Sequence, residues 1–353
     1  MKRLYVCETP FQLIVSLFLI KQNFKNNVIN DLIVTDDFSG AKKITSNIKK
    51  SNLFKSVYYY KKNCNNTFDK LKYLVNYKKL NKDIFGEYND SYDEIYMWNY
   101  DSFTSTLRNS LNRKVKCFIF EEGYISYFPY KDVISRPWLL KIINIKNRFI
   151  FRKNRENIDG IYLFEPELLM YNPKCPIYKI DRTVYDLRDL SEIIDLIFES
   201  KRISKYYDKK YILFEENHPE YKDFEIFKKI INIVGKDNVI IKLHPRRFQN
   251  RFESLGVKTL GSDGVPWEAI ALSKEFNDNV LISISSGSIT SYRMLCGKKS
   301  QCYLLYKIES SNLKQFNLKY KSFWNNLESN IDEKGIHFPT NAKEFYDMLK
   351  EEK

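Results

Sequence analysis

The sequence of 353 residues is poor in the side chains that build metal sites. It has three histidines, six scattered cysteines and no Cys-x-x-Cys pair. HExxH is absent, and so is Asp-x-Asp, an acidic pair that often binds a metal ion together with a diphosphate. These absences argue against a zinc site and against a metal–diphosphate site. We therefore expect a protein that uses neither a metal ion nor another cofactor.

The sequence also lacks the features of an exported or membrane-spanning chain. The apolar stretch 11–20 is too short to cross a bilayer. Met1-Lys2-Arg3 leads directly into a strand, so no signal peptide is expected. Cys7 and Cys117 lie within apolar strands, which is typical of reduced cysteines in a cytosolic protein. These features predict a cytoplasmic location.

Acidic residues are missing between Asp132 and Glu156, where apolar and basic residues are mixed, most densely over 137–153. Two interpretations of this segment stay open. It is an interfacial element on an anionic membrane, which would place the protein peripherally at the inner face of the cell membrane. Alternatively, it is a helix that covers the first sheet and keeps its lysines in water.

Acids are outnumbered along the whole chain. Lysine and arginine together count 58 and aspartate and glutamate 44, so the formal net charge is +14. Nucleic acid, an anionic membrane and anionic small molecules all fit this charge. The richness in Lys, Asn, Ile and Tyr is also what an AT-rich genome produces. The sequence shows no RRM, KH or helix-turn-helix signature, which argues against a nucleic-acid partner.

Short apolar runs alternate with longer helix-like stretches, which predicts an α/β chain with parallel sheets and helices on both faces. The alternation restarts after the polar segment 186–210, so we expect one domain over 1–205 and another over 206–353. Ligands of such sheets bind beyond the carboxyl ends of the strands, in the cleft between the domains. The strands expected are Leu4–Cys7, Leu32–Thr35, Ser56–Tyr60, Glu94–Trp98, Val115–Phe120, Ile161–Phe164, Tyr211–Phe214, Val239–Leu243, Val280–Ile284 and Gln301–Leu305. The helices expected include Phe11–Lys21, Ala41–Lys49, Phe68–Tyr77, Leu190–Glu199, Phe224–Val234, Trp267–Lys274 and Ser288–Leu295.

Two of these strand ends favour an anion. "KLHPRR" (242–247) surrounds His244 with three cations, a combination that suits a phosphate. "SISSGSITSYRM" (283–294) makes a serine-rich turn into a helix, whose first N–H groups and dipole attract negative charge. It is not a Walker loop, because GxxxxGK[ST] is absent. A solvated loop for the first motif and plain N-capping for the second remain the structural alternatives.

Other strand ends carry acids. "FIFEEGYISY" (118–127) ends an apolar strand in Glu121-Glu122-Gly123, where one carboxylate can act as general base for a hydroxyl. "FEENHPEYKDFE" (214–225) contains further acids, among them Asp223. In "CETPFQL" (7–13), Thr9 is a good N-cap and Pro10 a good first helical residue. Surface turns and a structural cap would also explain these three motifs.

Taken in chain order, these pieces resemble bacterial sialyltransferases. Several such families share an acidic pair followed by glycine, a His-Pro motif and a serine motif, here 121–123, 244–245 and 285–286. "CETPFQL" and "KLHPR", together with "VPWEA" (265–269), are most similar to glycosyltransferase family 52, which includes lipooligosaccharide sialyltransferases. The resemblance covers about residues 5–295.

The resemblance implies a GT-B fold with two Rossmann-like domains facing a central cleft. It implies transfer of sialic acid from CMP-sialic acid, with inversion and without metal, to a sugar hydroxyl of a surface glycan such as a terminal galactose of lipooligosaccharide or capsule. His244 would contact the donor phosphate and act as general acid, Ser285 and Ser286 would hold phosphate oxygens, and Glu268 would bind the ribose. The other residues expected at the CMP site are Lys242, Pro245, Gly287 and Ser288, and those expected at the acceptor are Thr9, Pro10 and Gln12.

Several alternatives stay open. Related families place the base in the acidic pair, at Glu122 or Glu121, whereas family 52 favours an acid early in the second domain, which Asp223 matches best. The donor alternatives are CMP-Kdo and a UDP-sugar, which would keep the fold, and a basic nucleic-acid-binding protein is the alternative outside this class. A homodimer is also left open.

Overall fold

A computed structural model describes residues 1–62, 76–98, 102–112, 114–129, 158–217, 223–245, 247, 249–261, 264–297, 300–309, 318–330 and 335–351. The chain forms two compact units, Met1–Phe198 and Glu199–Lys353. The division falls a few residues before the boundary expected at residue 205. The short helix Ser200–Ser204 accounts for the difference, because Ser200 hydrogen-bonds Ser273 of the second unit.

The first unit contains a parallel sheet of seven described strands in the order β3-β2-β1-β4-β5-β6-β7. Its strands are β1 (Lys2–Cys7), β2 (Ile29–Thr35), β3 (Ser56–Tyr60), β4 (Glu94–Met97), β5 (Lys116–Phe120), β6 (Gly160–Leu163) and β7 (Ile177–Lys179). Its helices are α1 (Pro10–Gln22), α2 (Ala41–Ser51), α3 (Tyr77–Phe85), α4 (Ser102–Ser110) and α5 (Leu187–Phe198). The strands wind outward in both directions from the neighbouring pair β1 and β4, as in a Rossmann sheet.

The second unit repeats this winding with six described parallel strands in the order β10-β9-β8-β11-β12-β13. Its strands are β8 (Tyr211–Phe214), β9 (Val239–Lys242), β10 (Lys258–Leu260), β11 (Val280–Ser283), β12 (Gln301–Leu304) and β13 (Ile336–His337). Its helices are α6 (Ser200–Ser204), α7 (Asp223–Val234), α8 (Trp267–Ser273), α9 (Ser288–Cys296), α10 (Tyr306–Glu309), α11 (Leu318–Asn330) and α12 (Ala342–Glu351). The direction of winding changes between β8 and β11, so their carboxyl ends flank the switch point of the sheet.

Burial explains why the apolar runs form these strands. Strands β6, β8, β9 and β11 are buried at every residue, as expected for parallel strands with helices on both faces. Helices such as α7 place one apolar side on this core, with Phe227 and Ile230 fully buried. The core therefore fixes the strands, and the loops at their carboxyl ends receive defined positions.

The predicted α/β class and all ten predicted strands are confirmed, with ends that differ by at most a few residues. Strands β7, β10 and β13 were not anticipated. The predicted helix 68–77 and the basic segment 137–153 lie largely or wholly outside the described residues. Within the described ranges, no helix combines the length and the apolar character that a membrane span requires.

Candidate functional site

In the second unit, polar residues follow three neighbouring strands at the carboxyl-terminal edge of the sheet. Glu215 and Glu216 come after β8, His244 follows β9, and Ser285 follows β11. Because β9, β8 and β11 are adjacent and parallel, their carboxyl ends meet at the switch point. The His-Pro turn and the serine turn therefore lie on either side of the Glu215-Glu216 turn.

Glu216 holds the serine turn in place. Its side chain is buried and accepts hydrogen bonds from Ser283 Oγ at 2.7 Å, from the Ser285 amide at 2.8 Å and from Ser285 Oγ at 3.2 Å. Burial raises the pKa of this carboxyl, and the hydrogen bonds from the serines oppose that rise. The conformation of the serine turn is thus fixed by hydrogen bonds to an acid that lies just after the neighbouring strand β8.

Glu215 does the same for the His-Pro turn. Its carboxylate accepts a hydrogen bond from the His244 amide at 2.7 Å, and its own amide donates to the Lys242 carbonyl at 3.0 Å. Beyond the histidine, the Arg247 amide donates to the His244 carbonyl at 2.9 Å, and Arg247 Nη2 donates to the Asn217 carbonyl at 3.0 Å. The His244 side chain is partly exposed, so it remains accessible to a ligand.

Asp223 begins α7 and is completely buried. One of its carboxylate oxygens accepts a hydrogen bond from the Glu216 amide at 3.1 Å and is also ion-paired with Arg251. The other accepts a hydrogen bond from the Phe224 amide at 3.0 Å. Burial raises the pKa of Asp223, and the ion pair with Arg251 lowers it in part. Both oxygens are therefore already engaged inside the unit.

Lys242 and Glu268 are two oppositely charged residues near these turns, and each influences the pKa of the other. Lys242 is buried at the end of β9, and its pKa is lowered by burial while the charge of Glu268 opposes that shift. Glu268, in the first turn of α8, accepts a hydrogen bond from Ser291 Oγ at 3.1 Å. Burial raises the pKa of Glu268. Through its hydrogen bond with Ser291, Glu268 connects α8 to the first turn of α9.

This edge suits an anion for two physical reasons. The nine-residue helix α9 begins at Ser288, so the positive end of its dipole lies next to the serine turn. Ser285, Ser286 and Ser288 are partly exposed, and the cationic Lys242 and Arg247 lie at the end of β9 and just beyond it, on the other side of the Glu215-Glu216 turn. Hydroxyls, helix-start amides and cations together are the usual recognition groups for a phosphate.

The first unit has its own polar edge, where β1, β4 and β5 end. Glu122, after β5, accepts a hydrogen bond from Thr9 Oγ1 at 2.9 Å and is partly exposed. The Glu122 amide donates to Ser126 Oγ at 2.6 Å, and Trp98 Nε1 donates to the same oxygen at 3.2 Å. A carboxylate, a hydroxyl and a partly exposed indole thus lie together.

The residues of "CETPFQL" build this edge from the other side. Thr9 is the N-cap of α1 and accepts a hydrogen bond from the Gln12 amide at 3.3 Å, with Pro10 as the first helical residue. Gln12 is buried, and its Oε1 accepts a hydrogen bond from the Glu8 amide at 2.6 Å. The Thr9 hydroxyl therefore serves both as helix cap and as a donor to Glu122. Gln12 supports the turn.

Glu121 points the opposite way and is completely buried. One oxygen accepts hydrogen bonds from Tyr127 OH and from the Phe164 amide, each at 2.8 Å. The other accepts none from the described residues. Burial raises the pKa of Glu121 to about 7, although these two hydrogen bonds lower it. The two neighbouring acids thus have different surroundings, as their alternation along an extended chain requires.

The structure brings the predicted residues together in two groups, one in each unit. In the second unit the group is Lys242, His244, Pro245, Glu268, Ser285, Ser286, Gly287 and Ser288, and in the first unit it is Thr9, Pro10, Gln12 and Glu122. Sequence reasoning did not single out Arg251, Trp98 or Ser126. Arg251 had no signal, because its partners are distant in sequence, whereas Trp98 could have been found as the last residue of the predicted strand Glu94–Trp98. No three metal-binding side chains converge in the parts of the chain that are described.

The sequence matches no protein-family model and no curated protein. The fold matches solved structures over nearly the whole chain. The GT-B domain of the sialyltransferase from Photobacterium damselae is 13% identical, with 96% of this chain and 99% of that chain covered and a TM-score of 0.50. The chain has the GT-B fold.

Two further structures that match this fold carry names other than sialyltransferase. UDP-N-acetylglucosamine 2-epimerase from Rickettsia bellii is 13% identical over 99% of this chain and 87% of that chain, with a TM-score of 0.55. UGT89C1 from Arabidopsis thaliana, complexed with UDP, is 8% identical over 99% and 89%, with a TM-score of 0.56. At these identities the likeness is one of fold alone, so the donor has to be argued from the residues.

Proposed function

We propose that this protein is an inverting, metal-independent sialyltransferase that uses CMP-sialic acid. The observation that supports it most directly is the grouping of the His244 turn, the serine turn and Lys242 at the switch point of the second sheet. This grouping offers cationic and hydroxyl donors to a single phosphate. A nucleoside monophosphate leaving group develops less charge than a diphosphate, and fixed donors of this kind can stabilise it without a metal ion.

The roles follow from the chemistry of the step. The acceptor oxygen bonds to the anomeric carbon of sialic acid while the bond from that carbon to the CMP phosphate oxygen breaks. The hydroxyl proton goes to a carboxylate, and the electron pair of the broken bond stays on the phosphate. His244 stabilises that phosphate as an imidazolium or protonates it, Ser285 and Ser286 hydrogen-bond its oxygens, and Glu268 binds the ribose.

Among the three candidate bases, we propose Glu122. It is partly exposed and holds a hydrogen bond from Thr9, so its carboxylate is both accessible and oriented. Glu121 and Asp223 are completely buried and accept hydrogen bonds inside their own units. A base must come within hydrogen-bond reach of the hydroxyl that it deprotonates, and burial opposes this for both. Thr9, with Pro10 and Gln12 behind it, would then lie on the acceptor side.

Nucleotide binding tests the donor. CMP is expected to raise the melting temperature more than UDP or GDP does, and at 100 times its dissociation constant a ligand adds roughly 2.7 kcal/mol to the stability. His244→Ala should lose most of the CMP shift. His337→Ala is the matched histidine control, because His337 lies at β13 and hydrogen-bonds Gln301.

Transfer is then measured with CMP-sialic acid and a galactose-terminated oligosaccharide. Formation of the sialylated product by the wild type and its loss in His244→Ala are the expected results. A larger stabilisation by UDP would contradict the CMP proposal and favour a UDP-sugar as donor. Stabilisation by none of the three nucleotides would contradict the nucleotide-binding role of this edge altogether.

A further inference from the structure

Arg251 connects two buried acids of the second unit. Its Nε donates to Glu215 Oε1 at 2.8 Å, and its Nη2 is ion-paired with Asp223. The side chains of both acids are completely buried, whereas that of Arg251 is 26% exposed. The guanidinium also lies against the Phe252 ring, with Cζ 4.7 Å from the ring centroid. A planar fork with several donors can serve two carboxylates at once, which a lysine cannot do in the same way.

The first acid passes this constraint to the His-Pro turn. While Glu215 Oε1 is held by Arg251, its Oε2 accepts the hydrogen bond from the His244 amide at 2.7 Å. The Glu215 amide donates to the Lys242 carbonyl, so the same residue is tied both to the end of β9 and to the turn that follows it. Arg251, Glu215 and the His244 backbone thus form one continuous chain of contacts.

The second acid, Asp223, makes loss of the Arg251 guanidinium energetically unfavourable. Asp223 accepts a hydrogen bond from the Glu216 amide, and Glu216 in turn holds the serine turn. Without the guanidinium, two buried carboxylates would face each other with no cation between them. One would take up a proton or turn toward water. Either change at Glu215 would alter the hydrogen bond that orients the His244 turn.

We propose that Arg251 is a positioning residue, which sets the geometry of the His244 turn through Glu215. Among the described residues, the hydrogen-bond and ion-pair partners of the Arg251 side chain are Glu215 and Asp223, not His244 or the serines of the serine turn. Its action on the site is therefore indirect. The effect on transfer rests on the proposed function, whereas the effect on His244 does not.

The test compares Arg251→Lys, Arg251→Ala and Glu215→Gln with Lys258→Ala as control. Lys258 pairs with Asp208 on the surface of the same unit, so its loss removes a cation and leaves the buried cluster intact. The chain has three histidines, and His244→Gln assigns the His244 imidazole resonances in a nitrogen-labelled sample without nucleotide. CMP affinity is measured by calorimetry and folding by thermal unfolding.

In Arg251→Ala, the His244 resonances and their titration midpoint are expected to move, and CMP affinity to fall about tenfold, a usual coupling within one charged network. Compared with Arg251→Ala, Arg251→Lys should bring the His244 resonances and the CMP affinity part of the way back to the wild-type values, because a lysine keeps a cation next to one of the two acids. Lys258→Ala should change neither. If Arg251→Ala does not fold, Arg251→Lys and Glu215→Gln give the same readouts.

A folded variant with unchanged His244 resonances and CMP affinity within twofold of wild type would overturn the proposal, even if its melting temperature fell. Arg251 would then be a structural ion pair only. If the wild type binds no CMP, the proposed function fails, and the His244 spectra alone decide the positioning role.

Discussion

At the residue scale, neighbouring acids with the same chemistry have opposite surroundings. Glu121 lies among buried groups with a pKa near 7, while Glu122 is partly exposed and hydrogen-bonded to Thr9. Asp223 shares the burial of Glu121 and is held by Arg251. Access rather than acidity therefore separates the candidate bases.

Glu122→Gln is expected to lower the rate of sialyl transfer by about 10²–10⁴-fold, because the amide cannot accept the proton. CMP affinity should stay near wild type, since the base acts on the acceptor hydroxyl. Asp223→Asn should instead weaken CMP binding and stability together, because it disturbs the buried cluster with Arg251. Steady-state transfer and calorimetry on both variants distinguish these patterns. A collapse of transfer confined to Asp223→Asn would return the base to Asp223.

Sequence reasoning reached the residues that directly follow apolar strands, because a parallel sheet brings strand ends to one edge. His244, Ser285 and Glu122 were predicted in this way. Arg251 could not be predicted from the sequence, since its partners Glu215 and Asp223 are 36 and 28 positions away. Such a contact depends on how one loop packs on another, and no local pattern records it.

At the scale of elements, the central strands with continuous apolar runs were predictable, whereas three of the four outer strands described, β7, β10 and β13, were not. Strand β7 is exposed at all three residues and β10 is only partly buried, so neither shows the apolar run of a central strand.

Neighbouring strands of the first sheet are joined by aromatic contacts. Rings from successive strands approach each other in the pairs Tyr5–Tyr96, Tyr96–Phe118, Phe118–Tyr162 and Tyr162–Tyr178, with centroids 4.7, 5.0, 5.8 and 4.9 Å apart.

Gly160, which has no side chain, leaves space for the rings of Tyr178 and Phe118 in this series of aromatic contacts. A Cβ at this position would lie 2.4 Å from Tyr178 Cε2 and 3.2 Å from Phe118 Cδ1. Gly160→Ala should force the Tyr178 ring off Tyr162 and lower the free energy of unfolding by about 1–2 kcal/mol. Urea unfolding measures this loss. In the Tyr178→Ala background the same substitution should cost much less, and an equal cost in both backgrounds would contradict the steric explanation.

At the scale of the whole molecule, the buried Glu121 links stability to pH. Its pKa is raised from 4.5 to about 7 by burial, so the folded state holds a proton that the unfolded chain has released. This group therefore lowers the free energy of unfolding as the pH rises from about 4.5 to 7, by up to about 3 kcal/mol, and has no further effect above that range.

Glu121→Gln should remove this contribution, because the amide does not titrate. The free energy of unfolding of the variant, measured by urea at several pH values, should fall less than that of the wild type between pH 5 and 7. Glu192→Gln, at an exposed position on α5, is the control and should follow the wild type. Parallel curves for wild type and Glu121→Gln would show that the buried carboxyl stays ionised throughout.

The outer strands of both sheets also bear on how the protein behaves at high concentration. Among the described strands, β7 and β10 have three residues each and β13 has two. An exposed strand edge is a template on which another chain can add by backbone hydrogen bonding, and a short edge offers few groups for that addition. The longest outer strand, β3, has five residues and is flanked by Lys55, Lys61 and Lys62. Short edges and flanking cations thus guard both sheets against edge-to-edge aggregation in a crowded cell.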